Sequence, residues 1–130
     1  MHRLLVFVAL LSLAACPSQA PASLSPKGVR VWQANEVAVG LGTLQHAAIE
    51  LNKLERCIDP APCAPLLSTE NTRVVVEAVT DGLLTLRAIP DGWLATGISV
   101  LTRIEARLDA AGQDKLSMYL TAARAVLSGL

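Results

Sequence analysis

Three prolines within six residues, Pro60, Pro62 and Pro65, stop any helix near the middle of this 130-residue chain. Each lacks a backbone N–H and clashes with the preceding turn, so the apolar periodicity on the two sides must belong to separate elements. From Asn35, read as a helix N-cap, Val37, Leu41, Leu44, Ala48, Leu51 and Ile58 recur at three- and four-residue spacing and predict a helix over about 36–57. Beyond the break, Ser68 or Thr69 caps a second segment with Val75, Val76, Val79, Leu83 and Leu86 on one side, where Arg73 and Glu77 can pair at i, i+4. Pro90-Asp91-Gly92 closes it. A third helix is expected from Trp93, with Leu94, Ile98, Leu101, Ile104 and Leu108 inside and Thr102, Arg103, Glu105 and Arg107 outside. Ala110-Ala111-Gly112 reads as a turn. The fourth helix, about 113–127, would bury Leu116, Tyr119, Leu120, Ala123 and Leu127, with Asp114 at its positive end. Short connections make the last three helices antiparallel neighbours, and the expectation is an all-α fold, a small up-and-down bundle of about four helices.

Composition agrees with helices packed through aliphatic side chains. Past residue 16 the only aromatics are Trp32, Trp93 and Tyr119, while Ala, Leu and Val dominate. Gly40 and Gly42 each cost about 1 kcal/mol against alanine inside a helix. Close approach of a neighbouring helix, or a frayed first turn, would account for them.

The amino terminus has a different character. Residues 1–3 (MHR) are a short positive stretch and residues 4–13 (LLVFVALLSL) an apolar run. Ten residues cannot cross a hydrocarbon core that needs about 20, but they suit a secretion signal. The run ends in Leu13-Ala14-Ala15-Cys16, which resembles the lipobox of bacterial lipoproteins. That resemblance implies cleavage before Cys16 and acylation of its thiol; the rival is an ordinary signal peptide ending at an Ala-x-Ala-like site. It divides the chain into a signal peptide at 1–15, a lipidated cysteine with a flexible tether at 16–33, and a bundle domain at 34–130. Residues 17–28 (PSQAPASLSPKG), with three prolines and three serines, suit the tether. Residues 29–34 (VRVWQA) alternate like a strand but have no pairing partner, so they read as a helical lead-in. Truncation of 17–33 is expected to be tolerated. Pro17, where an Asp would resemble an inner-membrane retention signal, implies the inner leaflet of the outer membrane in a Gram-negative host.

Without Arg3 the chain holds 10 Lys and Arg against 11 Asp and Glu. Binding a phosphate backbone runs on excess positive charge, so nucleic acid is excluded as an expected partner.

Cys57 and Cys63 flank the prolines, and in an envelope compartment a structural disulfide is the expected state. A redox pair or a metal site are the rivals, but five intervening residues do not match a thioredoxin-like spacing and two thiolates make half a zinc site. His46 is the single histidine after residue 16 and is expected to be exposed and paired with Glu50. No Gly-x-Ser-x-Gly elbow occurs. Glu50 with Glu55, or Glu105 with Asp109, are the carboxylate pairs that could be drawn as acid and base, yet each sits among basic residues as a solvated helix face does. Arg103 and Arg107, one turn apart, form the candidate partner-binding surface. Trp32 is placed over the end of the first helix or at a membrane interface, and Trp93 as a lid on the hairpin it begins.

The layout of signal, Cys/Pro loop and alanine-rich helices is similar to small helical lipoproteins of phage and prophage genomes. The resemblance implies superinfection exclusion or assistance in lysis; outer-membrane spanin subunits are commonly more proline-rich and less globular. The expected function is therefore non-enzymatic and cofactor-free, a membrane-anchored protein that binds another envelope protein or itself. The alternatives are a cell-wall enzyme or its inhibitor, and a helical carrier of a small apolar ligand.

Overall fold

A computed structural model describes residues 20–130. The signal at 1–15, Cys16 and the first residues of the tether lie outside the described residues. The described residues are all-α: four helices, α1 (Pro26–Lys53), α2 (Thr69–Ala88), α3 (Trp93–Arg107) and α4 (Ala110–Gly129), with a short ladder of β1 (Glu55–Arg56) against β2 (Ala64–Pro65) and a 3₁₀ turn at Pro90–Gly92.

Helix α1 starts ten residues before the expected cap. Ser25 accepts a hydrogen bond from the Gly28 N–H at 3.1 Å, and Pro26 stands at the first helical position, where its locked φ suits a helix and its missing N–H costs nothing. Asn35 is therefore an exposed mid-helix residue, and residues 26–33 of the tether expected at 16–33 are helical. The helix ends at Lys53, so Ile58, expected in its stripe, is 56% exposed in the loop beyond.

The helices run alternately up and down. Arg30 pairs with Asp91 at 3.0 Å and Gln33 Nε2 donates to the Leu130 carbonyl at 3.0 Å, which sets the start of α1 beside the α2–α3 corner and the end of α4. At the opposite end Asn52 Nδ2 donates to the Leu67 carbonyl at 3.0 Å, joining the last turn of α1 to the approach to α2. Around the bundle the order is α1, α2, α3, α4, and α1 meets each of the other three. Its Val37, Leu41, Leu44 and Ala48 join Val74, Val75 and Val79 of α2, Leu101 and Ile104 of α3, and Leu116 and Leu120 of α4 in one continuous core.

Helix α3 is rotated from the expected orientation. Leu94 and Ile98 are 44% and 46% exposed, whereas Gly97, Val100, Leu101 and Ile104 face inward. Gly97 is the reason: a Cβ there would collide with Leu127 of α4 and crowd Val37 of α1, so the backbone itself occupies core space. Gly82 of α2 does the same toward Val100 of α3. The expected turn at Ala110-Ala111-Gly112 is instead the first turn of α4, capped by Asp109.

Candidate functional site

At the end of the bundle away from the start of α1, the Cys57–Cys63 disulfide closes the proline loop. The ladder of β1 and β2 at its base, with Leu66 N–H donating to the Leu54 carbonyl at 2.8 Å, carries the loop outward from α1 and back to α2. Among the described residues, Glu55, Cys57 and Cys63 are the three metal-capable side chains that converge. The bond between the two sulfurs leaves neither as a thiolate, so in this oxidised form Glu55 is the one ligand the cluster offers.

Below the loop, a buried asparagine and an exposed aspartate pin the start of α2 to the junction of α3 and α4. Asn71, 3% exposed, donates from Nδ2 to Asp109 Oδ1 at 2.8 Å and accepts the Asp109 N–H at 3.3 Å, while Asp109 Oδ1 also accepts the Gly112 N–H at 2.7 Å. The Gly112 N–H and the Asn71 amide hold the Asp109 carboxyl below its ordinary pKa, because both donate to its charged form. Gly112 is required here, since an added Cβ would meet the Asn71 side chain at 2.6 Å.

Arg103 and Arg107 are half-exposed and do not form a free basic face. Arg103 Nη1 lies 2.7 Å from Asp81 Oδ2, and Arg107 Nη1 lies 3.7 Å from Glu77, which also receives Arg73 at 3.5 Å as its i, i+4 spacing predicted. The two arginines thus face a row of acids on α2. Arg73 in addition grips Glu70 at 2.7 Å; this contact lowers the Glu70 pKa and raises that of Arg73.

Three of the four carboxylates in the proposed acid–base pairs have other partners. Glu50 binds Lys53 at 2.9 Å, which lowers its pKa, with a smaller electrostatic contribution from His46. His46 is exposed, as expected. Glu105 receives Arg124 of α4, with Nε at 3.0 Å, and Asp109 is spent on its cap.

Two open clefts flank α2. One, about 420 Å³, lies between α1 and α2 and is lined by Val31, Ala38, Leu83, Leu86, Arg87 and Pro90 among others. The other, about 360 Å³, lies between α2 and α3 around Asp81, Gly82, Ser99 and Arg103. Between α1 and α4 lie two much smaller spaces of about 10 Å³ each, one of them reaching Leu101 of α3. No helix among the described residues is long and apolar enough to cross a membrane.

The sequence reading singled out the cysteines and the arginines but not the Asn71–Asp109 pair. Its signal was present in Asp109 followed by Ala-Ala-Gly, an acidic cap before good helix formers, and Ser68 three residues before Asn71. The clefts carry no such signal. No protein family, curated protein or solved structure matches the chain.

Proposed function

We propose that the chain is a lipid-anchored helical protein of a bacterial cell envelope, held to the membrane through Cys16, and that it works without catalysis by binding another envelope component. The observation that carries this reading is the run from the basic MHR start through the ten-residue apolar stretch to Leu13-Ala14-Ala15-Cys16. Charge, length, small residues and cysteine each match what signal peptidase II and the acylating enzymes require. Two or three acyl chains on one residue then give a durable anchor, where one alone binds marginally.

The folded part supports a binding role. Glu50, Glu105 and Asp109, three of the four carboxylates that could serve as acid or base, are engaged in ion pairs or a cap, and what remains is a bundle offering charged helix faces and open clefts. The spaces of about 10 Å³ between α1 and α4 hold no more than about one water each and have no room for an apolar ligand. A periplasm-facing position in the outer membrane and a phage-related task, superinfection exclusion or a lysis accessory, are the specific forms of the proposal.

Mass spectrometry of the protein isolated from a bacterial membrane tests the anchor. Cleavage before Cys16 with added acyl mass is expected; an unmodified cysteine or a retained signal would sink the lipoprotein reading. In-cell crosslinking then tests the role. Recovery of one defined envelope protein is expected, whereas repeated recovery of the chain alone would replace partner binding with self-assembly.

A further inference from the structure

We infer that the end of the bundle where α1 begins is a membrane-contacting surface that seats in the headgroup layer of an anionic bilayer. The inference builds on the lipid anchor proposed at Cys16. Four features converge on this end.

The first is where the chain emerges. Cys16 precedes Pro26 by ten residues, so an anchor there lies within about 36 Å of the first turn of α1, the longest span ten residues allow. The disulfide loop is separated from that turn by the full 28 residues of α1, about 42 Å of helix.

The second is apolar exposure. Five of the ten large exposed hydrophobic side chains among the described residues, Leu24, Val31, Leu84, Ile89 and Leu94, lie at or next to the start of α1, the end of α2 or the start of α3. The Arg30–Asp91 pair holds the first turns of α1 against that α2–α3 corner. Val31 also lines the cleft shared with Leu83, Leu86 and Pro90.

The third is charge. Over residues 24–32 and 83–94 the basic residues are Lys27, Arg30 and Arg87, and the single acid, Asp91, is already matched by Arg30. Lys27 and Arg87 are both exposed. The far end is acidic in balance, with Glu55, Asp59 and Glu70 against Lys53 and Arg56 over residues 52–70. An anionic leaflet attracts the first end and repels the second.

The fourth is the placement of both tryptophans of the chain, Trp32 and Trp93, at this same end, each half-buried. Amphipathic rings flanked by lysine and arginine suit the headgroup level.

The two tryptophans are also the probe. Protein isolated from bacterial membranes, with cleavage before Cys16 and its acyl mass first checked, is reconstituted into vesicles of phosphatidylethanolamine and phosphatidylglycerol carrying bromine at shallow acyl positions, and tryptophan emission is read. Quenching relative to unbrominated vesicles is expected, with less quenching in the double variant Lys27→Glu, Arg87→Glu, whose helical content should match the parent. An acylated protein whose emission is unaffected by bromine overturns the inference and leaves the lipoprotein reading intact; the apolar end then belongs to a protein partner. If Cys16 carries no lipid, the same vesicles still decide. Quenching supports the surface while the anchor fails, and no quenching removes both.

Discussion

Asn71 and Asp109, 38 residues apart, exchange two hydrogen bonds at 2.8 and 3.3 Å and so lock the first turn of α2 to the α3–α4 junction. Among the described residues, Asn71 is the buried polar side chain. Its amide leaves no room for a side chain at residue 112 and directs one N–H to a carboxylate that already caps α4.

Replacing Asn71 by Leu removes the donor to Asp109 and the acceptor for its N–H. A loss of about 1 to 3 kcal/mol is expected, the usual range when a buried hydrogen-bonded group loses its partner, read from the midpoint of urea denaturation. A midpoint within error of the parent would mean that water replaces the pair at no cost.

The same pair predicts an acid limit. The Asp109 pKa is lowered in the folded chain, first by the Gly112 N–H and then by Asn71, so the folded state holds the ionised form more firmly than the unfolded state does. Its contribution is fully present above the ordinary carboxylate pKa of about 4 and is lost as pH falls through the lowered folded value. Denaturation midpoints measured downward from pH 5 should therefore fall less steeply in Asp109→Asn than in the parent. Parallel curves would assign the acid sensitivity elsewhere, for instance to Glu50 and Glu70, which shift in the same direction.

Alanine substitutions should divide the helical glycines into two groups. At Gly42 an added Cβ meets open space and at Gly40 it meets Val126 at 3.8 Å, an ordinary contact, so each replacement should stabilise by up to about 1 kcal/mol through helix propensity. At Gly97 the Cβ collides with Leu127 and at Gly82 with Val100, and overpacking of this kind costs about 1 to 3 kcal/mol. Thermal melts of the four single variants check the division. A stabilised Gly97→Ala would show that α4 can shift outward freely.

Cys57 and Cys63 should resist alkylation in the absence of reductant and both react after it. Reduction should lower stability by at most about 2 to 3 kcal/mol, the loop-closure entropy of a seven-residue ring. Rapid labelling of the untreated protein would return the Glu55, Cys57 and Cys63 cluster to consideration as a redox or metal site.

The pairing of Arg103 with Asp81 and of Arg107 with Glu77 is exposed, and such pairs contribute less than about 1 kcal/mol each. The double variant Arg103→Ala, Arg107→Ala should melt close to the parent. A loss of crosslinked partner in that variant would identify this face as the contact; retained capture would free these arginines for a structural role alone.

Much of the fold was legible in residue types alone. The proline cluster forced a break, the aliphatic spacing of Val37, Leu41, Leu44 and Ala48 marked the stripe that α1 buries, and Ser68 capped α2 as read. The cysteine pair and its spacing announced the disulfide. These features are local: each depends on a few neighbouring residues and on backbone chemistry that any context preserves. The start of α1 was local too, in Ser25 and Pro26, but the prolines around it gave the stretch the character of a tether.

What only tertiary structure decided was rotation and pairing. Three- and four-residue spacing on α3 fits a stripe through Leu94 and Ile98 as well as one through Gly97 and Val100, and the choice fell to the close approach of α4 and α1 over a glycine that carries no hydrophobic signal. Arg103, Arg107 and Glu105 find their partners on other helices and Asn71 finds its partner at the α3–α4 junction, and the hydrogen bonds of Arg103, Glu105 and Asn71 span 22, 19 and 38 residues. A carboxylate read in sequence is a possible acid or base; the same group facing an arginine across a helix pair is a structural charge, because the electrostatics that tune it come from residues that only folding brings near.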